Sequence, residues 1–142
     1  MDDTLPRASI GSDAIERLRQ CAREASAKAY APYSRFPVGA ALLTRDGRLL
    51  GACNVENASF GLSMCAERAA VFAAVAQGFR DFVAVAVYTP TASVTPPCGA
   101  CRQVLHEFAP RAVVVCSNGD PAAERQYDLA ELLPAAFGSA SL

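Results

Sequence analysis

Two short segments of the sequence contain the residue types that metal chemistry requires. They are residues 97–101 (PCGAC) and residues 65–68 (CAER). Cys98 and Cys101 are three positions apart, so on a helix both thiols lie on one face and can reach the same ion. A C-x-x-C pair alone is compatible with a redox pair, with structural zinc or with no site at all. Cys65 supplies a third thiolate.

The number of ligands decides which kind of metal site these cysteines form. No fourth cysteine has a matching spacing, and the only histidine, His106, lies beyond Cys101 in the same predicted helix. Structural zinc sites have four protein ligands, whereas catalytic sites have three and keep one position for water. The sequence therefore favours a catalytic zinc site formed by Cys65, Cys98 and Cys101.

Glu67 is the candidate general base, because a carboxylate beside zinc-bound water accepts its proton. It follows Cys65 by two positions, and on a regular helix such side chains point in nearly opposite directions. Both groups can face one pocket if Cys65 is the cap residue, where the dihedral angles are not helical.

The charge of the site requires compensation. Three thiolates and Zn²⁺ leave one net negative charge, which weakens the metal as a Lewis acid. Two helix N-termini, each equivalent to roughly half a positive charge, would offset it. Arg68 lies three positions after Cys65 and is predicted to donate to the thiolates; the alternative is a solvated surface arginine.

The elements that position these segments alternate between helix and strand. A first helix, capped by Ser12 or Asp13, is predicted to end before residue 31, and Asp46-Gly47 predicts a hairpin turn. The other predicted helices are 63–76, 99–108 and 129–133, and the predicted strands are 36–43, 48–53, 82–88, 112–116 and 125–127. This order predicts a layered α/β domain with helices on both faces of a mixed sheet. Residues 1–11 are predicted to be a loose tail.

Composition limits the classes of function. With 142 residues, 52% of them hydrophobic, the chain suits one domain with a packed core, residues 1–142. The net charge of −1 lacks the basic excess of nucleic-acid-binding proteins, which favours a small-molecule substrate. The sequence has no apolar run of the roughly 20 residues that span a membrane, and residues 1–10 are not expected to act as a signal peptide. The expected location is the cytoplasm, where the six cysteines stay reduced.

The two cysteine segments together resemble the small homotetrameric zinc-dependent cytidine deaminases, in which C-A-E-R is followed by P-C-G-A-C-R-Q. Three further segments are similar to that family, and the resemblance covers roughly residues 12–138. They are residues 33–41 (YSRFPVGAA), 53–59 (CNVENAS) and 132–137 (LLPAAF).

The resemblance implies a three-layer α/β/α fold with a five-stranded mixed sheet, and deamination of cytidine and deoxycytidine in pyrimidine salvage. One zinc ion per subunit would supply the hydroxide that attacks C4 of the base, with Glu67 as the proton shuttle. The active sites of the homotetramer would be shared between subunits. The implied substrate-binding residues are Phe36, Asn54, Glu56, Ala58, Phe60, Ala66 and Phe137, with Phe137 coming from a neighbouring subunit.

Several of these residues have a simpler interpretation. Phe36 can be a core residue, Asn54 and Glu56 can belong to a solvated loop, and Phe137 can be disordered. Position 60 is Phe where many relatives carry Tyr, which removes a hydroxyl group. The cysteines outside the site, Cys21, Cys53 and Cys116, are interpreted as small hydrophobic residues, and His106 is not interpreted as a ligand.

Three other functions remain open. A blasticidin-type deaminase shares the zinc motifs, but Phe36 and residues 54–57 (NVEN) favour a nucleoside. A polynucleotide-editing deaminase is disfavoured by the charge and the short chain. A structural zinc or thiol-redox module without catalysis predicts a fourth ligand or no role for Glu67.

Overall fold

The computed structural model describes residues 10–142, so most of the tail predicted at 1–11 lies outside the described residues. The helices are α1 (Ser12–Ser26), α2 (Ala66–Ala76), α3 (Gly99–Phe108) and α4 (Leu129–Leu132). The strands are β1 (Gly39–Thr44), β2 (Leu49–Cys53), β3 (Phe82–Tyr88), β4 (Val113–Ser117) and β5 (Arg125–Asp128). Two 3-10 turns are Phe60–Leu62 and Ser139–Ser141. None of the described helices is long and apolar enough to cross a membrane.

The five strands form one mixed sheet, as predicted, and their order in it is β2-β1-β3-β4-β5. Only β3 and β4 run parallel, and the other neighbours are antiparallel. The connection between β1 and β2 is the predicted hairpin. Gly47 has a φ of +94°, which a glycine adopts at no steric cost, and its N–H donates to the carbonyl of Thr44 at 3.1 Å.

Helices cover both faces of this sheet, which confirms the three-layer prediction. Side chains alternate across a strand, so the central strands β1, β3 and β4 contribute to two separate cores. One core packs strand residues such as Leu42, Val85 and Val114 against α2, α3 and α4. The other packs Ala41, Ala86 and Val115 against α1.

Helix α1 lies unusually close to the sheet at Gly39. A Cβ atom at this position would lie 1.9 Å from the carbonyl oxygen of Ala22 and 2.6 Å from the nitrogen of Ser26. The backbone of α1 therefore occupies the space that a side chain would need. Only glycine permits this contact, which brings α1 directly onto β1 and β2.

The first predicted strand begins three residues too early, because a side chain replaces the strand pairing there. The Asn54 side chain accepts a hydrogen bond from the Val38 N–H and donates one to the Phe36 carbonyl, both at 2.8 Å. Regular pairing with β2 starts only at Gly39, opposite Cys53. The periodicity of apolar residues does not distinguish these two modes of holding an extended backbone.

The predicted cap of α1 was wrong. The N-cap is Gly11, in extended conformation, and it makes no side-chain capping hydrogen bond. Ser12 and Asp13 lie inside the first turn, where Asp13 still opposes the positive end of the helix dipole. The helix ends at Ser26, before residue 31 as predicted, and the Ser26 hydroxyl donates to the Arg23 carbonyl at 2.6 Å.

Candidate active site

The three predicted thiol ligands converge at the starts of two helices. Cys65 and Cys98 are the N-cap residues of α2 and α3, with extended backbone conformations (φ −70°, ψ 151° and φ −67°, ψ 168°). Cys101 lies one turn into α3 and is fully buried. The sulfur of Cys98 is 3.8 Å from that of Cys65 and 3.5 Å from that of Cys101.

These sulfur positions fit a zinc ion. All three sulfurs lie within 4.8 Å of one another. Tetrahedral zinc with Zn–S bonds of about 2.3 Å requires sulfurs about 3.8 Å apart, close to the observed spacing. Within residues 10–142 no histidine, aspartate or glutamate joins the cluster as a fourth member. The protein thus presents three ligands, which is the arrangement of catalytic rather than structural zinc.

Positive potential surrounds the thiols, as the charge of the site requires. The N-termini of α2 and α3 both meet the cluster, and Arg68 donates from its terminal nitrogen to the Cys65 sulfur at 3.3 Å. Hydrogen bonds from the Cys101 thiol and from Arg68 lower the pKa of Cys65 to about 5. The pKa of Cys101 is raised in turn, because its proton is held against the Cys65 sulfur. Cys65 is therefore ready to bind a metal as a thiolate.

The guanidinium of Arg68 is not fully used by this contact. Its Nε atom is buried and has no hydrogen-bond partner among the described residues. One donor beside the ligand cluster is therefore uncommitted, in a position where further negative charge would be stabilised.

Glu67 lies in the first turn of α2 and is only 4% exposed. Removal from water raises the pKa of its carboxyl to about 7, and the nearby Cys65 charge acts in the same direction. The carboxyl also interacts with the Cys101 thiol. With Cys65 in a non-helical conformation, the Glu67 carboxyl lies beside the thiol cluster, as the sequence required. A carboxyl with a pKa near neutrality can both accept and return a proton.

Asn54 and Glu56 hold the backbone that precedes β1. Beyond the contacts of Asn54 with Phe36 and Val38, the Oε1 atom of Glu56 accepts from the N–H groups of Tyr33 and Ser34 at 2.9 and 3.1 Å. Hydrogen bonds from Ser34 and Tyr33 lower the pKa of Glu56, so this group is a carboxylate. One Asn54 N–H and the second Glu56 oxygen are not used by these backbone contacts, and the Ser34 side chain also hydrogen-bonds to the carboxylate. The sequence did not indicate this bracing role.

The other predicted substrate contacts separate into two groups. Phe36 is partly buried against the core, and Ala66 is fully buried as the first residue of α2. Ala58, Phe60 and Phe137 are exposed, with Phe60 at 73% and Phe137 at 60%. Phe60 packs edge-to-face on Tyr33, with 5.6 Å between ring centroids.

The chain does not enclose its ligand cluster. Cys98 is solvent-exposed. Two cavities of about 460 and 350 Å³ lie elsewhere, one beside the end of α3 and the C-terminal residues and the other between α1 and the ends of β3 and β4. Neither is lined by Glu67 or by a metal-site cysteine.

Sequence reasoning missed Arg102, which follows the ligand Cys101. Its Nε donates to the Pro97 carbonyl at 2.7 Å, and a terminal nitrogen donates to the Leu132 carbonyl at 2.9 Å. Its position four residues after Cys98, on the same helical face, was the available signal. The remaining cysteines lie apart from the cluster: Cys116 is core, and Cys21 and Cys53 are partly buried.

Comparison with known proteins agrees with this geometry. Residues 12–117 match the model of the cytidine and deoxycytidylate deaminase zinc-binding region. The chain is 50% identical over 109 residues to a cytidine deaminase of Halalkalibacterium halodurans, covering 77% of this chain and 83% of the relative. It is 43% identical to that of Sporosarcina psychrophila, covering 90% and 94%. The crystal structure of cytidine deaminase from Burkholderia pseudomallei superposes with a TM-score of 0.81 at 50% identity, covering 86% of this chain and 98% of that one.

Proposed function

The chain belongs to the cytidine and deoxycytidylate deaminase zinc-binding family, and we propose from this premise how its residues carry out the reaction. The protein is a zinc-dependent cytidine deaminase that converts cytidine or deoxycytidine and water into uridine or deoxyuridine and ammonia. The observation that carries this function is the set of three thiol ligands with a buried carboxyl beside them.

Zinc is held by Cys65, Cys98 and Cys101, one ion per chain. When bound, the ion supplies an activated water and stabilises developing negative charge. Arg68 and the two helix N-termini offset the charge of the thiolates, which keeps the site electrophilic.

Glu67 is the proton shuttle in this proposal. Its carboxylate accepts a proton from the water that adds at C4, and delivers that proton to N3 of the pyrimidine. It then assists the departure of the amino group as ammonia. The raised pKa of the buried carboxyl supports this role, because each transfer requires a group that exchanges its proton near neutral pH.

The substrate would be held by groups on both sides of the ligand cluster. The backbone of Ala66 binds the edge of the base, and the ring of Phe36 packs against it. Asn54 and Glu56 bind the ribose hydroxyls through the amide N–H and carboxylate oxygen that their backbone contacts leave free. Their bracing contacts fix both side chains before substrate arrives, which reduces the entropy lost on binding.

A homotetramer would complete these sites. The single chain leaves its ligand cluster open and exposes Ala58, Phe60 and Phe137. In the proposed assembly these residues cover the substrate of a neighbouring subunit. We place the activity in pyrimidine salvage in the cytoplasm, where a site of three free thiols remains reduced, and we assign the whole chain to one catalytic domain.

The deciding experiment is ammonia release from cytidine and deoxycytidine by zinc-loaded protein, with Glu67→Gln as the control. We expect robust turnover, and a kcat lower by about 10²–10⁴-fold in the variant with zinc retained. Equal turnover by Glu67→Gln would reject the shuttle. Turnover of blasticidin S but not of cytidine or deoxycytidine would show that the substrate is not a simple cytosine nucleoside. If folded, zinc-loaded protein turned over none of these three compounds, a non-catalytic zinc module would be favoured.

A further inference from the structure

Two adjacent side chains of α3, Arg102 and Gln103, hold the two ends of the C-terminal segment 132–137. A terminal nitrogen of Arg102 donates to the Leu132 carbonyl at 2.9 Å. The Nε2 atom of Gln103 donates to the Phe137 carbonyl at 2.9 Å. The segment is thus attached at both ends to the helix whose start supplies Cys98 and Cys101.

Arg102 links this segment to the metal site directly. Its Nε donates at 2.7 Å to the Pro97 carbonyl, which belongs to the peptide bond preceding Cys98. The Leu132 carbonyl lies in the last turn of α4, where carbonyls lack a partner within the helix. The Arg102 guanidinium therefore joins the backbone just before Cys98 to the start of segment 132–137. Hydrogen bonds from charged donors such as this one are stronger than those between neutral groups.

Gln103 fixes the other end, where packing contributes little. The Phe137 side chain is 60% exposed, so its ring has few neighbours in its own chain. Between the two attachments Ala135 has a φ of +52°, an unfavourable conformation for a residue with a side chain. Such a conformation persists only when its surroundings impose it, and the two attachments define the path of the segment.

We propose that Gln103 is a positioning residue for substrate binding, acting through Phe137, and that α3 thereby couples the metal site of one subunit to the substrate pocket of its neighbour. This inference rests on the proposed function, in which Phe137 covers the substrate of a neighbouring subunit. Gln103 does not touch the substrate; it holds the backbone that carries the ring.

The first test compares the steady-state kinetics of Gln103→Leu and Phe137→Ala. Gln103→Leu removes the donor at nearly constant size. We expect it to raise KM for cytidine about fivefold, the effect of one lost hydrogen bond, and to leave kcat and zinc content unchanged. The matched control is Gln77→Leu, which removes a glutamine donor bonded to Ala73 within α2 and should leave KM unchanged.

The second test uses mixed assemblies, in which Gln103→Leu or Phe137→Ala chains are combined with excess Glu67→Gln chains. The latter supply an intact Phe137 but no turnover. KM should return to the wild-type value in both mixtures, which a purely local loss of stability would not produce. The inference is overturned if Gln103→Leu has a normal KM, or if its raised KM is not restored in the mixture. If Phe137→Ala still raises KM and is rescued in the same experiments, the proposed function is unaffected. A normal KM for Phe137→Ala overturns the substrate contact of Phe137 as well.

Discussion

At the scale of single residues, the site depends on Cys65 being a cap rather than a helical residue. Its extended backbone turns the thiol toward Cys98 while Glu67 enters the first turn of α2, so the Glu67 carboxyl, two positions further along the chain, also lies beside the thiol cluster. The same placement exposes the thiolates to the positive end of the helix. In the proposed mechanism, one backbone conformation thus serves metal binding, charge compensation and proton transfer.

Removal of one ligand tests the metal assignment. Cys98→Ala leaves two sulfurs, one fewer than the three protein ligands of a catalytic zinc site. We expect purified Cys98→Ala to contain less than about one tenth of the wild-type zinc, because each lost ligand lowers affinity steeply. Elemental analysis measures this, with Cys116→Ala as the control that changes a buried cysteine outside the cluster. Full zinc occupancy in Cys98→Ala would mean that the ligand set is wrong.

Replacement of Arg68 tests charge compensation. Arg68 lowers the pKa of Glu67 through its positive charge. Arg68→Gln should therefore raise the pKa of Glu67, so the acidic limb of kcat/KM moves to higher pH, and kcat/KM should fall about tenfold or more. A pH–rate profile measures both effects. Arg80→Gln, which changes an exposed arginine after α2, is the matched control. An unchanged profile for Arg68→Gln would show that Arg68 does not tune the site.

At the scale of elements, helices on both faces of the sheet hold the site in position. α2 and α3 lie on one face with their N-termini at the ligands, and α1 braces the other face through close backbone contact at Gly39. Asn54, just after β2, hydrogen-bonds to Phe36 and Val38, just before β1. The position of the backbone at residues 36–38 therefore depends on the hairpin.

Gly39→Ala tests the contact between α1 and β1. The new methyl group would meet the Ala22 carbonyl at 1.9 Å, and a backbone atom cannot rotate away. We expect a loss of about 3 kcal/mol in the free energy of unfolding, at the upper end of the cost of overpacking. Urea denaturation at equal zinc loading measures it. Gly51→Ala meets the movable Cys21 side chain at 3.0 Å and should cost less. Equal free energies of unfolding for Gly39→Ala and Gly51→Ala would contradict the close packing at Gly39.

At the scale of the whole molecule, the chain exposes a set of apolar side chains in and around residues 54–62. Tyr33 and Phe60 contact each other there, and Val55 pairs with both Tyr30 and Met64. The exposed fractions of Tyr30, Tyr33, Val55 and Phe60 are 47–73%, and Leu62 is 70% exposed. Exposed apolar side chains grouped in this way are typical of protein–protein interfaces, which supports the proposed assembly.

Sedimentation tests this assembly. We expect the wild-type mass to be four times that of the chain, and Phe60→Asp to shift the population toward smaller species because it places a charge in an apolar interface. The variant should also lose activity as it dissociates, since the shared sites open. Leu142→Asp, which changes a side chain that is 97% exposed at the C-terminus, is the control. A monomeric, fully active wild-type protein would reject the shared site.

The sequence by itself predicted the three cysteines that converge in the structure, the carboxyl beside them and most of the sheet. Ligand identity and number follow from residue type and spacing, and α3 and β3 were predicted with their observed bounds because apolar runs and prolines mark them locally. Tertiary structure decided the rest. The start of β1, the bracing by Asn54 and Glu56, and the attachment of the C-terminal segment by Arg102 and Gln103 all join residues distant in sequence. A local pattern cannot specify such contacts, because each donor has many acceptors in the unfolded chain and only the packed fold selects one.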